Sequence, residues 1–552
     1  MRIRGRGDQV WSVTSGLVLG CFVLFVGCND QPMTARKSGA ASAKTNDGAP
    51  SKTEPAPAAK PPLSNESKDA AAVAPTTAKP AATDAAASGG LKAKRAKFDP
   101  EAVNGKFFED WTKPKLALVI TGRQDGYLEP CGCAGIENQK GGLSRRDSFM
   151  KQLAEQGWPV AAVDVGSLVH RFGRQAEIQY ATCADALRKM NYSGVGFGAA
   201  DLRLSAGEVA AVVAGDQPDR TIFVGANVDL FGLTPRFRVF EAGGMKFGVT
   251  AVLGDEFRQQ VNNNELELKP AAVALKEVVD QLKDCDHRIL LANATSEECA
   301  VLGKQFPQFD IMVSGDGPDE PLADVKRKPG EALVIEVGHK AMYAIVLGFF
   351  DDAKQPIRYQ RVALDSRFPD SDAMKDLMTR YQSQLQALGW EGLGLRATPH
   401  PQTRPDNPLS GQFVGGLSCK ECHEAAWDVY AKSPHAHATE TLIKLTPARH
   451  FDPECVSCHV TGWMPQEFSP FISGFQSMEK TPELAGQSCE NCHGPGAAHI
   501  AAERGADKAL QEEWRKLMHQ DKATAADSCI KCHDQDNSPT FNFDTYWPEI
   551  EH

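Results

Sequence analysis

Cys419-Lys420-Glu421-Cys422-His423, Cys455-Val456-Ser457-Cys458-His459, Cys489-Glu490-Asn491-Cys492-His493 and Cys529-Ile530-Lys531-Cys532-His533 repeat one spacing four times within 115 residues. Two cysteines three apart can each add to a porphyrin vinyl group, and the histidine that follows then offers its imidazole to the iron. This is the attachment spacing of c-type haem. Zinc also uses Cys-x-x-Cys pairs in series, but it does not need a histidine directly after each second cysteine. The repeat therefore predicts four covalently bound haems c on Cys419, Cys422, Cys455, Cys458, Cys489, Cys492, Cys529 and Cys532. A segment of this kind folds around its cofactors, much as metals fold small domains, and is expected to be mainly α or irregular.

Each motif histidine (His423, His459, His493, His533) supplies one axial ligand. Second ligands must come from His435, His437, His450, His499, His519 or His552, the other histidines of the tail. Glu424 to Lys432 lacks helix breakers, and such a helix would carry His435 up to ~18 Å from His423. His435 is therefore expected to serve another haem. His499 follows His493 by six residues, a reach of about 20 Å at most, so cross-ligation is again favoured.

Working outward, eight of 15 Cys and ten of 14 His fall after residue 410. From residue 405 to 552, Lys and Arg number 11 against 22 Asp and Glu; this local excess equals the formal net charge of −11 for all 552 residues. An acidic chain is a poor general binder of nucleic acid, and the tail's field favours a cationic protein partner.

At the other end, Arg2, Arg4 and Arg6 precede an apolar stretch from Val10 to Gly27, the pattern of an export signal. Phe25-Val26-Gly27-Cys28 resembles the lipobox of bacterial lipoproteins, which implies lipidation at Cys28; an uncleaved anchor helix is the alternative. Both put the chain on the periplasmic side of a membrane. Residues 29–97 are rich in Ala, Pro, Lys, Ser and Thr and read as a disordered linker.

From Lys115 onward, apolar runs alternate with amphipathic segments. Strands are predicted at Leu116 to Thr121, Val160 to Val165, Val195 to Gly198, Ile222 to Val224, Phe247 to Leu253, Ile289 to Ala292, Ile311 to Val313, Ala332 to Val337 and Tyr343 to Phe350. Helices are predicted at Leu143 to Gln156, Ala176 to Met190, Ala206 to Ala214 and Ala271 to Leu282. The implied organisation is a signal over 1–28, a linker over 29–97, an α/β layered sandwich over 98–400 and a haem domain over 405–552.

Gly126-Tyr127-Leu128-Glu129-Pro130-Cys131-Gly132-Cys133, with Gly141-Gly142-Leu143-Ser144-Arg145-Arg146, resembles the calcineurin-like metallophosphoesterase superfamily and its exported 5′-nucleotidase-like branch, over about residues 115 to 365. That family holds two metals with Asp-x-His, Gly-Asp, Gly-Asn-His-Asp/Glu and Gly-His-x-His. The matching places here read Arg123-Gln124-Asp125, Val165-Gly166, Gly198-Ala199-Ala200-Asp201 and Gly315-Asp316-Gly317. Loss of most ligands implies a retired hydrolase with no catalytic residues, although Asp125 and Asp201 could still hold one ion. Cys131 and Cys133 read either as a redox or metal-binding pair, or as donors of a bond to Cys183, Cys285 or Cys299.

Trp427 through Ser433-Pro434-His435-Ala436, Cys455 to Gly462, and Cys489 to Gly496 with His499 resemble the tetrahaem cytochrome c-554 family from about residue 412 to the end. The resemblance implies stacked, mostly bis-histidine haems that pass electrons. It makes His435 and His499 distal ligands, with His552 and His450 as further candidates and His437 and His519 facing solvent. The expected function is a membrane-tethered electron carrier that serves a redox partner protein or a quinone-linked membrane complex. The alternatives are a phosphoesterase with a haem appendage, or a multihaem oxidoreductase with an open iron.

Overall fold

The computed structural model describes residues 98–131, 135–215, 220–327 and 330–552. The export signal with Cys28, the linker and Cys133 lie outside the described residues. The α/β part and the cysteine-rich part belong to one compact unit, Ala86–His552.

The α/β part is built from two five-stranded sheets. In chain order its main elements are β1 (Leu116–Thr121), α1 (Leu143–Glu155), β2 (Val160–Asp164), α2 (Arg174–Lys189), β3 (Gly194–Val195), α3 (Ala206–Ala214), β4 (Arg238–Ala242) and β5 (Met245–Leu253). There follow α4 (Ala271–Val278), β6 (His287–Asn293), α5 (Ser296–Gln305), β7 (Ile311–Ser314), β8 (Leu333–Glu336), β9 (Tyr343–Phe349), β10 (Ile357–Ala363) and α6 (Asp372–Gly392). The first sheet runs β10-β9-β1-β2-β3 and the second β8-β7-β6-β5-β4. β1 pairs in parallel with β2, Leu118 opposite Ala161, and antiparallel with β9, Leu118 opposite Leu347.

All six residues of β1 are buried because both of its faces are covered. Leu116, Leu118 and Ile120 meet Phe247, Val249, Ile289 and Leu291 of the second sheet. Ala117 and Val119 turn to the opposite face, where Phe149, Tyr180, Leu187 and Tyr381 of α1, α2 and α6 pack. A third cluster joins α4 and α5 to the outer face of the second sheet through Leu275, Leu282, Leu302 and Met312. The result is a helix–sheet–sheet–helix sandwich, the layered α/β architecture expected.

Two predicted strands are cut short. Val195 to Gly198 contributes only β3, and Ile222 to Val224 makes a single bridge, Phe223 to Val195. The cause is close backbone approach: a Cβ on Gly196 would lie 2.6 Å from the Val165 carbonyl oxygen, and one on Gly198 would lie 2.3 Å from Ser167 Oγ. Chain pressed this tightly forms loops around one point instead of extending a ladder.

The tail is more regular than expected. It consists of short helices, chiefly α7 (Glu424–Tyr430), α8 (Ala438–Lys444), α9 (Pro453–Val456), α10 (Cys489–His493), α11 (Ala497–Arg504), α12 (Lys508–Met518) and α13 (Lys522–Cys529). Its apolar clusters are small, one around Val456, Val460, Trp463 and Phe475 and one around Ala498, Ala502 and Trp514. No helix among the described residues is long and apolar enough to cross a membrane.

Candidate functional site: an imidazole-paired cysteine array

The third motif forms α10. Ser488 caps it by accepting from Glu490 N–H, which orients Cys489, Cys492 and His493 on one short turn. The second motif grows from α9, capped by Asp452 with Pro453 at the first helical position.

The motifs meet through their thiols. Cys419 has Cys489 close enough to perturb its thiol, and Cys532 has Cys458. Cys492 faces Cys529 closely enough to perturb its thiol. The attachment cysteines therefore form one continuous row in the spatial order first, third, fourth, second.

Three histidine pairs accompany the row. Ring centroids are 6.4 Å apart for His423 and His499, 6.1 Å for His533 and His435, and 5.9 Å for His493 and His552. A histidine nitrogen binds a first-row metal at ~2.0–2.1 Å, so two rings sharing one metal have centroids roughly 6 Å apart. Each pair joins a motif histidine to a distant one, and the spacing fits one iron between the rings. His450 instead lies against Phe451, centroids 3.8 Å apart. His437 contacts Glu440, and His519 contacts Asp521, both at the exposed surface.

Neighbouring groups fix the motif rings. Nδ1 of His459 bonds the Ala438 carbonyl at 2.7 Å, Nδ1 of His493 bonds the Met518 carbonyl at 2.7 Å, and Nδ1 of His533 lies 3.1 Å from Ser538 Oγ. Donation from Nδ1 leaves Nε2 as the lone-pair nitrogen, the arrangement that outer hydrogen-bond partners impose on metal-binding histidines. Burial lowers the proton affinity of His459, His493, His499 and His533, and burial with His533 nearby pushes His435 down to about 4. Neutral imidazole is the form a metal requires.

Glu490, inside the third motif, is 2% exposed. Its carboxylate accepts from the backbone N–H of Val414 (3.0 Å), Gly415 (2.7 Å) and Gly496 (2.7 Å), and so clasps the lead-in of the first motif to the third. Sequence reading missed this role, because a variable position within Cys-x-x-Cys carries no burial signal.

The α/β part holds the tail along a polar seam. Gln175 and Gln179 of α2 donate to Asp452 (2.9 Å) and Glu454 (3.0 Å), and Gln382 of α6 donates to Asp452 at 2.7 Å. Arg449 Nε donates to Glu129 at 2.8 Å. Asp536 accepts from Lys340 Nζ and lies 3.1 Å from His339 Nε2. These contacts also escaped the sequence reading.

In the α/β part, the loops after β1, β2, β3 and β6 converge. Arg123 Nη1 donates to the Gly317 carbonyl at 3.2 Å, and Asn293 Nδ2 donates to Ser167 Oγ at 2.8 Å. The fully buried Asp201 carboxylate accepts from the backbone N–H of Ser167, Val169 and Gly198 at 2.8–3.0 Å, which makes it a loop staple. Asp125 accepts from Lys340 N–H at 3.3 Å. Among the described residues, no group of three or more His, Cys, Asp or Glu could hold a metal ion. Cys183, Cys285 and Cys299 are buried thiols, not disulfides.

Residues 418–494 match the family described as Cytochrome c554 and c-prime. Over 140 residues the chain is 29% identical to cytochrome c-554 of Nitrosomonas europaea, covering 22% of this chain and 57% of that protein. The chain thus spans little more than half the length of that relative. Among solved structures it resembles a 5′-nucleotidase precursor from Thermus thermophilus (20% identity, 50% of this chain and 59% of that one, TM-score 0.41). It also resembles the NAD nucleotidase of Haemophilus influenzae (14% identity, 51% and 72%, TM-score 0.39). The carboxy-terminal part thus carries a cytochrome c554 family segment, for which the family implies covalently bound haem c. A c-type cytochrome points to an extracytoplasmic location.

Proposed function

We propose that this protein is a tetrahaem electron carrier, lipid-anchored through Cys28 on the periplasmic side of a membrane, whose α/β domain no longer hydrolyses phosphate esters. The observation that carries this reading is the set of three imidazole pairs at 5.9–6.4 Å beside the cysteine row. Bound haem supplies one-electron chemistry between ferric and ferrous iron. The chain's own residues would hold the groups: the eight motif cysteines would anchor them covalently, His423, His459, His493 and His533 would each offer an imidazole to an iron, and His499, His552 and His435 would supply a second imidazole to three of them.

At the three paired sites, two ring nitrogens per iron would leave substrate no place to bind, which suits transfer over bond chemistry. The order of the cysteine row supports passage from the first motif through the third and fourth to the second, with a redox partner protein or a quinone-linked membrane complex as donor or acceptor. Retirement of the hydrolase is supported by Asp201, whose carboxylate is engaged by backbone amides.

Intact mass and a redox-resolved absorption spectrum of the mature protein test the reading together. Four haems per chain and a c-type spectrum with low-spin iron at the three paired sites are expected; fewer than four haems overturns the assignment. Phosphate-ester turnover with added manganese, zinc or calcium that is lost in Asp125→Ala or Asp201→Ala would overturn the retired hydrolase.

A further inference from the structure

The seam raises a question of charge. Asp452 and Glu454 stand immediately before Cys455, and both point into the contact with the α/β part. Asp452 is 4% exposed. Its side chain is met by Gln175 Nε2, Gln382 Nε2 and the Glu454 N–H, and Glu454 is met by Gln179 Nε2 with both oxygens at 3.0 Å. Every one of these donors is a neutral amide. Nearby cations are engaged elsewhere: Arg449 by Glu129, Lys340 by Asp536, and Arg171 by the Gln466 carbonyl (2.8 Å) and the face of Phe468 (3.7 Å). The remaining titratable neighbours are Tyr381, whose hydroxyl accepts from Gln175, and the Cys455 thiol; both are pushed upward by burial and by Asp452. Among the described residues neither acid is in ion-pair contact with a Lys, Arg or His nitrogen; Arg449 acts on Asp452, and Arg171 and Lys340 act on Glu454, only at longer range.

A buried carboxylate normally acquires a salt-bridge partner, because desolvation is otherwise costly. Here the α/β part covers two of them and supplies amides only. Ferric haem carries one more positive charge than ferrous haem, so an uncompensated anion beside it favours the oxidised form.

We propose that the α/β domain acts as an electrostatic tuning element, burying Asp452 and Glu454 against amide donors with no ion-pair contact, so that they lower the midpoint potential of the haem attached at Cys455 and Cys458. This rests on the reading that those cysteines carry haem. The retired domain thereby sets the potential at one end of the row.

The test is a spectroelectrochemical titration of the mature holoprotein, with haem content counted on the same samples. Burial and then Asp452 push the Glu454 carboxyl up to about 7, so the titration is run at pH 9, well above that value. Two unit charges roughly 10 Å apart at an effective dielectric constant near 20 shift an equilibrium on the order of tenfold. In a one-electron couple that is a rise of ~59 mV. Glu454→Gln should raise one haem's midpoint by that order and leave the others in place. Gln179→Lys, which adds a cation from the α/β side without touching the haem segment, should raise the same midpoint, and it decides the matter if Glu454→Gln fails to mature. Full haem content with unmoved midpoints in Gln179→Lys overturns the tuning proposal. Absence of haem from wild-type protein would instead overturn the underlying haem assignment.

Discussion

Replacing Asp536 by Asn tests how firmly the α/β part grips the fourth motif. His339 and then Lys340 hold the Asp536 carboxyl well below the usual range, at about 2 against an ordinary 3.8. At 1.36 kcal/mol per unit this corresponds to about 2 kcal/mol. The side chain keeps 26% exposure, and solvent screening trims the figure to ~1–2 kcal/mol. A carboxyl held low contributes its stability above its unfolded value near 3.9, and loses it as pH falls through about 2. His339, whose proton affinity is raised first by its hydrogen bond to Asp536, contributes below its unfolded value near 6.5 and loses it as pH rises through the elevated one. The difference between wild type and Asp536→Asn is therefore largest between about pH 4 and 6.5, and shrinks toward pH 9 as His339 deprotonates. Denaturant unfolding, followed by fluorescence of the α/β part and haem absorbance on the same samples, measures it. Equal differences at pH 5.5 and pH 9, or none at pH 5.5, would refute the reasoning.

Alanine at His499, His435 or His552 should each convert one haem, and only one, from low to high spin, read as a single-haem signal by electron paramagnetic resonance; no spin change in a given variant removes that residue from the ligand set. Glu490→Ala leaves three buried N–H groups without an acceptor. At ~1–3 kcal/mol each this should cost about 3–9 kcal/mol of stability, visible in the thermal midpoint of the haem absorbance. Arg146, 1% exposed, lies 3.6 Å from the fully buried Asp164. Arg146→Met should destabilise the α/β part by roughly 3–5 kcal/mol in chemical denaturation, with the haem count unchanged.

Much of the sandwich was legible because its strands are covered on both faces and therefore read as apolar runs: β1, β2, β5 and β9 stand where the sequence puts them. The misses have physical reasons. Val195 to Gly198 reads as a strand from its apolar residues, but Gly196 and Gly198 serve close backbone approach. α6 and the edge strands β4 and β10 were not read at all; β4 and β10 are only partly buried over most of their length, which weakens any periodic signal. In the tail, motif spacing singled out the candidate attachment residues, and limited reach predicted that His435 and His499 go to haems other than those of their nearest motifs. The rings beside them are those of His533 and His423. What no spacing reveals is long-range polar contact: Gln175 to Asp452 spans 277 residues and His339 to Asp536 spans 197. Such pairs are set by the packed surfaces, and their residue types resemble ordinary solvated side chains.

Helix α2 has two duties on one cylinder. Tyr180, Cys183 and Leu187 lock one side into the sandwich, while Gln175 and Gln179, one turn apart, grip the acids ahead of Cys455. A cytochrome that ferries charge by swinging between donor and acceptor must come loose from its host on every cycle. Here release would unmake bonds anchored in a helix that cannot shift without disturbing the sheets beneath it. On the electron-carrier reading proposed above, the haem segment is a stationary terminal, and whatever exchanges electrons with it has to arrive and leave again.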